Sequence, residues 1–197
     1  MDEPLSNLDA RLRMDMRTEL KRLHYISGAT TAYVTHDQIE AMTMSTKIAV
    51  MKLGVIQQMD TPDMVYHYPA NLFVADFIGN PKVNLMPGWV TGQNLVDVGK
   101  FNIPVKTFNQ TGEVVVGLRP EDIMISTEPV DGAVEFSAYS VLPSGADTTI
   151  IARKGDTELT IKEMGVSKIQ MDQPVWLSFT EDAINLYDKE TEDLITA

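Results

Sequence analysis

The chain opens with Met1-Asp2-Glu3-Pro4-Leu5-Ser6-Asn7-Leu8-Asp9-Ala10. Two adjacent carboxylates follow an apolar residue and precede a proline and a polar turn. This is the pattern of paired acids at the lip of a strand, with Met1 as the last residue of that strand. In a phosphoryl-transfer site one such carboxylate holds Mg²⁺, directly or through water, and its neighbour orients the attacking water. An acidic pair alone equally suits a solvated turn, so the reading depends on a second motif downstream. That partner is Thr35-His36-Asp37. Ala32, Tyr33 and Val34 form a short β-prone run before it, which places His36 where a second strand ends and a helix begins. Strand ends and helix N-termini are where phosphates bind.

Between these motifs Asp9 is positioned to cap a helix running to about Ile26, with Gly28 as its terminator. Leu12, Met16, Leu20 and Leu23 share one helical face, read as buried core. Arg13, Arg17 and Lys21 share another, read as solvated. Residues 37–45 are predicted to form a short helix with Ile39 and Met42 inward. Residues 48–51 and 55–57 read as paired strands around Gly54, whose positive φ suits a tight turn. Thr61-Pro62 reads as a helix start. Leu72, Phe73, Ala75, Phe77 and Ile78 are expected in a further helix packed on the core.

From about Pro81 the period changes. Runs rich in Val, Ile, Thr and Phe at 114–116, 123–125, 134–139, 148–152, 159–161, 175–179 and 183–187 are separated by Gly, Pro, Asn and Asp. That is an all-β pattern suited to a small barrel. No repeat, low-complexity segment or flexible linker is apparent, and Asn80-Pro81 is the expected boundary.

The 197 residues can bury a sizeable core, and they contain no cysteine, compatible with a reducing compartment. There is no signal-peptide pattern, and no apolar run reaches the ~20 residues needed to cross a bilayer, so any membrane link is expected to go through a partner. The formal charge is −12. Residues 1–80 carry 7 basic and 10 acidic groups, and residues 81–197 carry 9 and 18, so most of the negative charge lies in the second half. That balance argues against nucleic acid, whose backbone recruits Lys and Arg.

Asp2-Glu3-Pro4, Ser6 to Asp9, a helix, a strand and then Thr35-His36-Asp37 together resemble the second half of the nucleotide-binding core of ABC transporter ATPases. The likeness narrows at Gln57-Gln58-Met59-Asp60-Thr61-Pro62, at Pro69-Ala70-Asn71-Leu72-Phe73-Val74-Ala75-Asp76-Phe77-Ile78-Gly79-Asn80-Pro81, and at Val116-Gly117-Leu118-Arg119-Pro120-Glu121-Asp122. There the sequence looks like the ATP-binding subunits of carbohydrate importers of the maltose and multiple-sugar type, and essentially the whole chain is covered. Leu53-Gly54 stands where the family commonly has Asp-Gly, Asp76 where it has Gly, and Pro143-Ser144-Gly145 interrupts a segment often written Leu-Gly.

The resemblance implies an α/β partial P-loop NTPase core over residues 1–80, followed by an all-β OB-type regulatory barrel over 81–197. It implies that Asp2 is the Walker B aspartate that organises Mg²⁺, through water, and that Glu3 polarises the hydrolytic water. Ser6 to Asp9 match the D-loop, which contributes Ser6 and Asp9 to the nucleotide site and crosses to a partner subunit. His36 matches the switch histidine on the γ-phosphate. Such chemistry needs a held metal, a positioned water and a donor to the developing charge. ATP and Mg²⁺ are the implied cofactors. A second ATPase subunit, membrane permease subunits and a regulatory protein on the β domain are the implied partners, at the cytoplasmic inner face of the cell membrane. The chain contains no Gly-x-x-x-x-Gly-Lys-[Ser/Thr] loop and no Leu-Ser-Gly-Gly-Gln signature. Alone it is therefore expected to be inactive, resembling the carboxy-terminal portion of a longer subunit. Two other readings are a non-catalytic regulatory and dimerisation module and, against its charge, an OB-type nucleic-acid binder.

Overall fold

The computed structural model describes residues 1–92, 94–106 and 112–195. The chain divides into two compact units, Met1–Tyr66 and His67–Ala197.

In the first unit, helix α1 (Ala10–Ser27) starts where the Asp9 carboxylate accepts the Leu12 N–H at 2.9 Å. It ends at Gly28, in the left-handed region, whose N–H reaches the His24 carbonyl. Helix α2 (Gln38–Met44) is capped by Asp37, which accepts from the Ile39 and Glu40 N–H groups. Strands β1 (Ile48–Lys52) and β2 (Val55–Asp60) pair antiparallel. Their turn places both Leu53 and Gly54 at positive φ, the geometry of a two-residue hairpin loop. Helix α3 (Pro62–His67) comes next.

Three expectations for this unit are corrected. None of the α1 residues is buried, Leu12 and Leu23 included. Instead α1 meets α2 through the face read as solvated: Arg17 lies 2.6 Å from Asp37, and the Lys21 ammonium donates to the Thr43 carbonyl. An apolar stripe is buried only where another surface covers it, and here the surface beside α1 carries carboxylates that attract the arginines. Ile39, expected inward, is exposed, while Glu40 beside it is buried. The β-prone run at 32–34 is likewise reduced to a single parallel bridge between Val34 and Asp2.

The second unit begins with α4 (Leu72–Phe77), capped by Asn71. Ten strands come after it: β3 (Asn84–Val90), β4 (Leu95–Asp97), β5 (Asn102–Pro104), β6 (Gly112–Leu118), β7 (Ile123–Ser126), β8 (Val134–Pro143), β9 (Asp147–Lys154), β10 (Thr157–Met164), β11 (Pro174–Phe179) and β12 (Ile184–Asp188). They form two five-stranded antiparallel sheets, ordered β12-β6-β3-β4-β5 and β10-β9-β8-β11-β7. One core lies between them. Val96, Ile103, Val116 and Leu118 come from the first sheet, and Ile150, Leu159, Ile161 and Leu177 from the second. Alternation explains it: in β9, Thr148, Ile150 and Ala152 are buried while their neighbours are not. Phe101 joins the sheets by stacking on Phe179 and meeting Phe136 edge-on.

Asn84 clips the sheets together through polar contacts. Its side-chain amide donates to the Leu118 and Thr160 carbonyls, and its oxygen accepts the Thr160 N–H at 2.7 Å. The Val-Gly-Leu-Arg-Pro segment also has a structural role. Gly117 leaves room for the Tyr187 ring, which a β-carbon there would meet at 2.9 Å. Leu118 enters the core, and buried Arg119 donates to the Ala75 and Ile78 carbonyls at the end of α4. A cation suits these otherwise unsatisfied helix-end carbonyls. Strands β3 to β5 were not legible in the sequence because Pro87, Gly88 and Pro104 interrupt the β-prone pattern. β4 flanks β3 only at Trp89 and Val90, so Pro87, which lacks an N–H, lies where one side is open.

Candidate functional site

The parallel bridge sets the geometry of the first unit. The Val34 N–H donates to the Met1 carbonyl, and the Glu3 N–H donates to the Val34 carbonyl, both at 2.9 Å. These two bonds fix Asp2 and Glu3 opposite the segment that carries His36. The turn beyond them is closed from the other side: the Ser6 hydroxyl and N–H both donate to the Glu3 carbonyl, and Leu5 is buried beneath it. Glu3 adopts a φ of 42°, in the left-handed region that side chains rarely enter. So held, its carboxylate lies 2.8 Å from Nδ1 of His36.

Of the residues expected to form a site, Glu3 and His36 are thus in direct contact, although 33 positions apart. Asp2 adjoins them through its backbone bridge, and Ser6 fixes the Glu3 backbone. Asp9 is engaged differently, its carboxylate capping α1. Both members of the pair face solvent, with side-chain exposures of 43% for Glu3 and 70% for His36. A carboxylate only accepts, so Nδ1–H of His36 is the donor in this contact, and Nε2 carries a hydrogen as well only when the ring is protonated. Among the described residues no three His, Asp or Glu side chains converge into a metal cage. The donor set still fits Mg²⁺ delivered with a nucleotide, because that ion takes one or two carboxylates and completes its shell with phosphate oxygens and water.

The hydrogen bond to Glu3, then the Glu3 charge, hold the His36 pKa above its ordinary value against desolvation, with smaller contributions from the Asp37 and Glu40 charges. A raised folded-state value means that the pair adds stability below the unfolded value of about 6.5 and that this contribution fades as pH rises through the folded one. An NMR titration is expected to place His36 above its ordinary value, with Glu3→Gln returning it; an unshifted wild-type ring contradicts the pairing.

Sequence reasoning missed the groups behind this pair. Glu40 is only 3% exposed. It accepts from the Tyr33 hydroxyl at 2.9 Å, the Thr35 hydroxyl at 2.8 Å and Arg17 at 3.3 Å. Burial, then the bond to Glu40, push the Tyr33 phenol up to about 12. The signal available was Asp37-x-x-Glu40, an acidic pair at capping-box spacing, which identifies a helix start without revealing that the glutamate is buried.

Residues 79–123 match the family model described as the MalK OB fold domain. Along nearly its whole length the chain is similar to known import proteins. It is 45% identical to the xylose/arabinose import ATP-binding protein XacK of Haloferax volcanii, over 99% of this chain and 53% of that protein. It is 40% identical to the trehalose/maltose import ATP-binding protein MalK of Thermococcus litoralis, over 97% and 55%. It is 39% identical to the sn-glycerol-3-phosphate import ATP-binding protein UgpC of Shigella boydii, over 96% and 54%. The chain spans about half the length of these relatives. Among its described residues no helix is long and apolar enough to cross a membrane.

Proposed function

We propose that this chain, similar over nearly its whole length to xylose/arabinose, trehalose/maltose and sn-glycerol-3-phosphate import ATP-binding proteins, supplies the metal and water side of an ATP-hydrolysing subunit of an ABC importer that drives sugar uptake. The observation that carries this reading is the Glu3–His36 contact beside the Asp2–Val34 bridge. Glu3 accepts a proton from the attacking water and fixes its direction. His36, in its protonated form, donates through Nδ1–H to Glu3 and presents Nε2–H to the terminal phosphate as charge develops there. Asp2 would hold Mg²⁺, and the ion when bound would neutralise phosphate charge. Ser6 and Asp9 shape the loop that meets the nucleotide held against a second copy of the subunit.

The subunit works as a homodimer against membrane permease subunits at the inner face of the membrane. Its ATPase part covers residues 1–80, and its OB-type regulatory part, residues 81–197, receives effectors or a regulatory protein. The relatives' names span pentose, disaccharide and glycerol-phosphate import, so the cargo is a polar polyol or sugar whose identity is read elsewhere in the transporter.

The division of labour is tested by comparing residues 1–197 with a protein that also carries a phosphate-binding loop. Only the longer protein is expected to hydrolyse ATP. Hydrolysis by the 197-residue chain alone would overturn the assignment.

A further inference from the structure

We infer that Glu40, acting through the Thr35 hydroxyl, is the positioning residue that sets His36 against Glu3. The inference rests on the roles proposed above for that pair. Its basis is the buried Glu40 carboxylate, which gathers residues from both sides of the bridge. Oε2 accepts from Tyr33 and Thr35, and Oε1 from Arg17. In an extended segment side chains alternate, so residues 33 and 35 share one face and 34 and 36 the other. Anchoring 33 and 35 to one carboxylate leaves His36 directed away from it.

The anchor continues past the histidine. The Thr35 hydroxyl that donates to Glu40 also accepts the Asp37 N–H at 3.0 Å, so His36 sits inside a closed turn. Asp37 in turn caps α2 through Oδ1 and meets Arg17 at 2.6 Å through Oδ2. Arg17 projects from α1, the helix that begins at Asp9. One buried acid with its arginine therefore ties helix α1 to the turn around His36, and neither Glu40 nor Arg17 contacts the Glu3–His36 pair in the bonds described. A misplacement of about 1 Å in such a pair is enough to cost roughly 10²-fold in rate.

The test uses a protein that joins this chain to a phosphate-binding loop, with Thr35→Val, which keeps the side chain's shape and removes the hydroxyl, and Thr35→Ser, which restores it. Steady-state hydrolysis and the ¹⁵N signals of the His36 ring at fixed pH are read together. Thr35→Val is expected to lower kcat by roughly 10- to 100-fold, to leave KM for ATP within about twofold, and to shift the ring signals toward those of Glu3→Gln. Thr35→Ser is expected to match wild type in both. Unchanged ring signals in Thr35→Val overturn the positioning role. If instead Glu3→Gln leaves hydrolysis intact, the proposed function fails, while the ring signals still decide whether Glu40 and Thr35 align the pair.

Discussion

On the proposed function, replacing Glu3 with glutamine in a protein that joins this chain to a phosphate-binding loop is expected to leave ATP bound and to slow hydrolysis by roughly 10²- to 10⁴-fold, the range associated with a lost general base. Glutamine keeps the side chain's size and a hydrogen-bond acceptor, so the turn closed by Ser6 should persist. What disappears is the charge that holds the imidazole 2.8 Å away and that we propose draws a proton from water. His36→Ala should likewise keep nucleotide and lose most turnover, because it removes the proposed phosphate donor, the Nε2–H of the protonated ring, and releases Glu3 from its partner. Binding measured by nucleotide titration, set beside single-turnover hydrolysis, separates the two steps. Turnover at wild-type rates in either variant would reduce the contact to a surface ion pair, which in general contributes little.

Limited proteolysis of the 197-residue chain is expected to remove the first unit well before the second. Among the described residues, the first unit buries Leu5, Ile48, Val50 and Val65 as its apolar core, while the second buries more than twenty such side chains between its sheets. Each large side chain kept from water contributes roughly 1.5 to 3 kcal/mol. Against a net stability of about 5 to 15 kcal/mol, that difference decides which part opens first. The resistant product is expected to begin between residues 67 and 72 rather than near 81. Ala75 of α4 packs with Val115 and Tyr187, and Arg119 holds the Ala75 and Ile78 carbonyls, so α4 should survive with the barrel. Mass spectrometry of the fragments reads the cut site. Equal resistance of both units, or a product beginning at Pro81, would contradict this account.

By itself the sequence determined what depends on neighbours in the chain. Asp9, Asp37 and Asn71 announce helix starts because a cap needs only the N–H groups two or three residues on. Leu53-Gly54 announces a hairpin because a two-residue turn is a local choice of φ. The alternating runs from 114 onward announce a β unit, and Asp2-Glu3 with His36 announce a candidate site through order and spacing. Tertiary structure alone decided which faces are covered. The helical period placed Leu12 and Leu23 on one side of α1 and Arg13 and Arg17 on another, but burial is a property of the opposing surface. The acids of α2 drew the arginine side inward. The same reason hid Glu40, whose burial is tolerable only because Tyr33, Thr35 and Arg17 converge on it from separate elements. It also hid β3 to β5, where sheet partners hold residues whose own β propensity is poor.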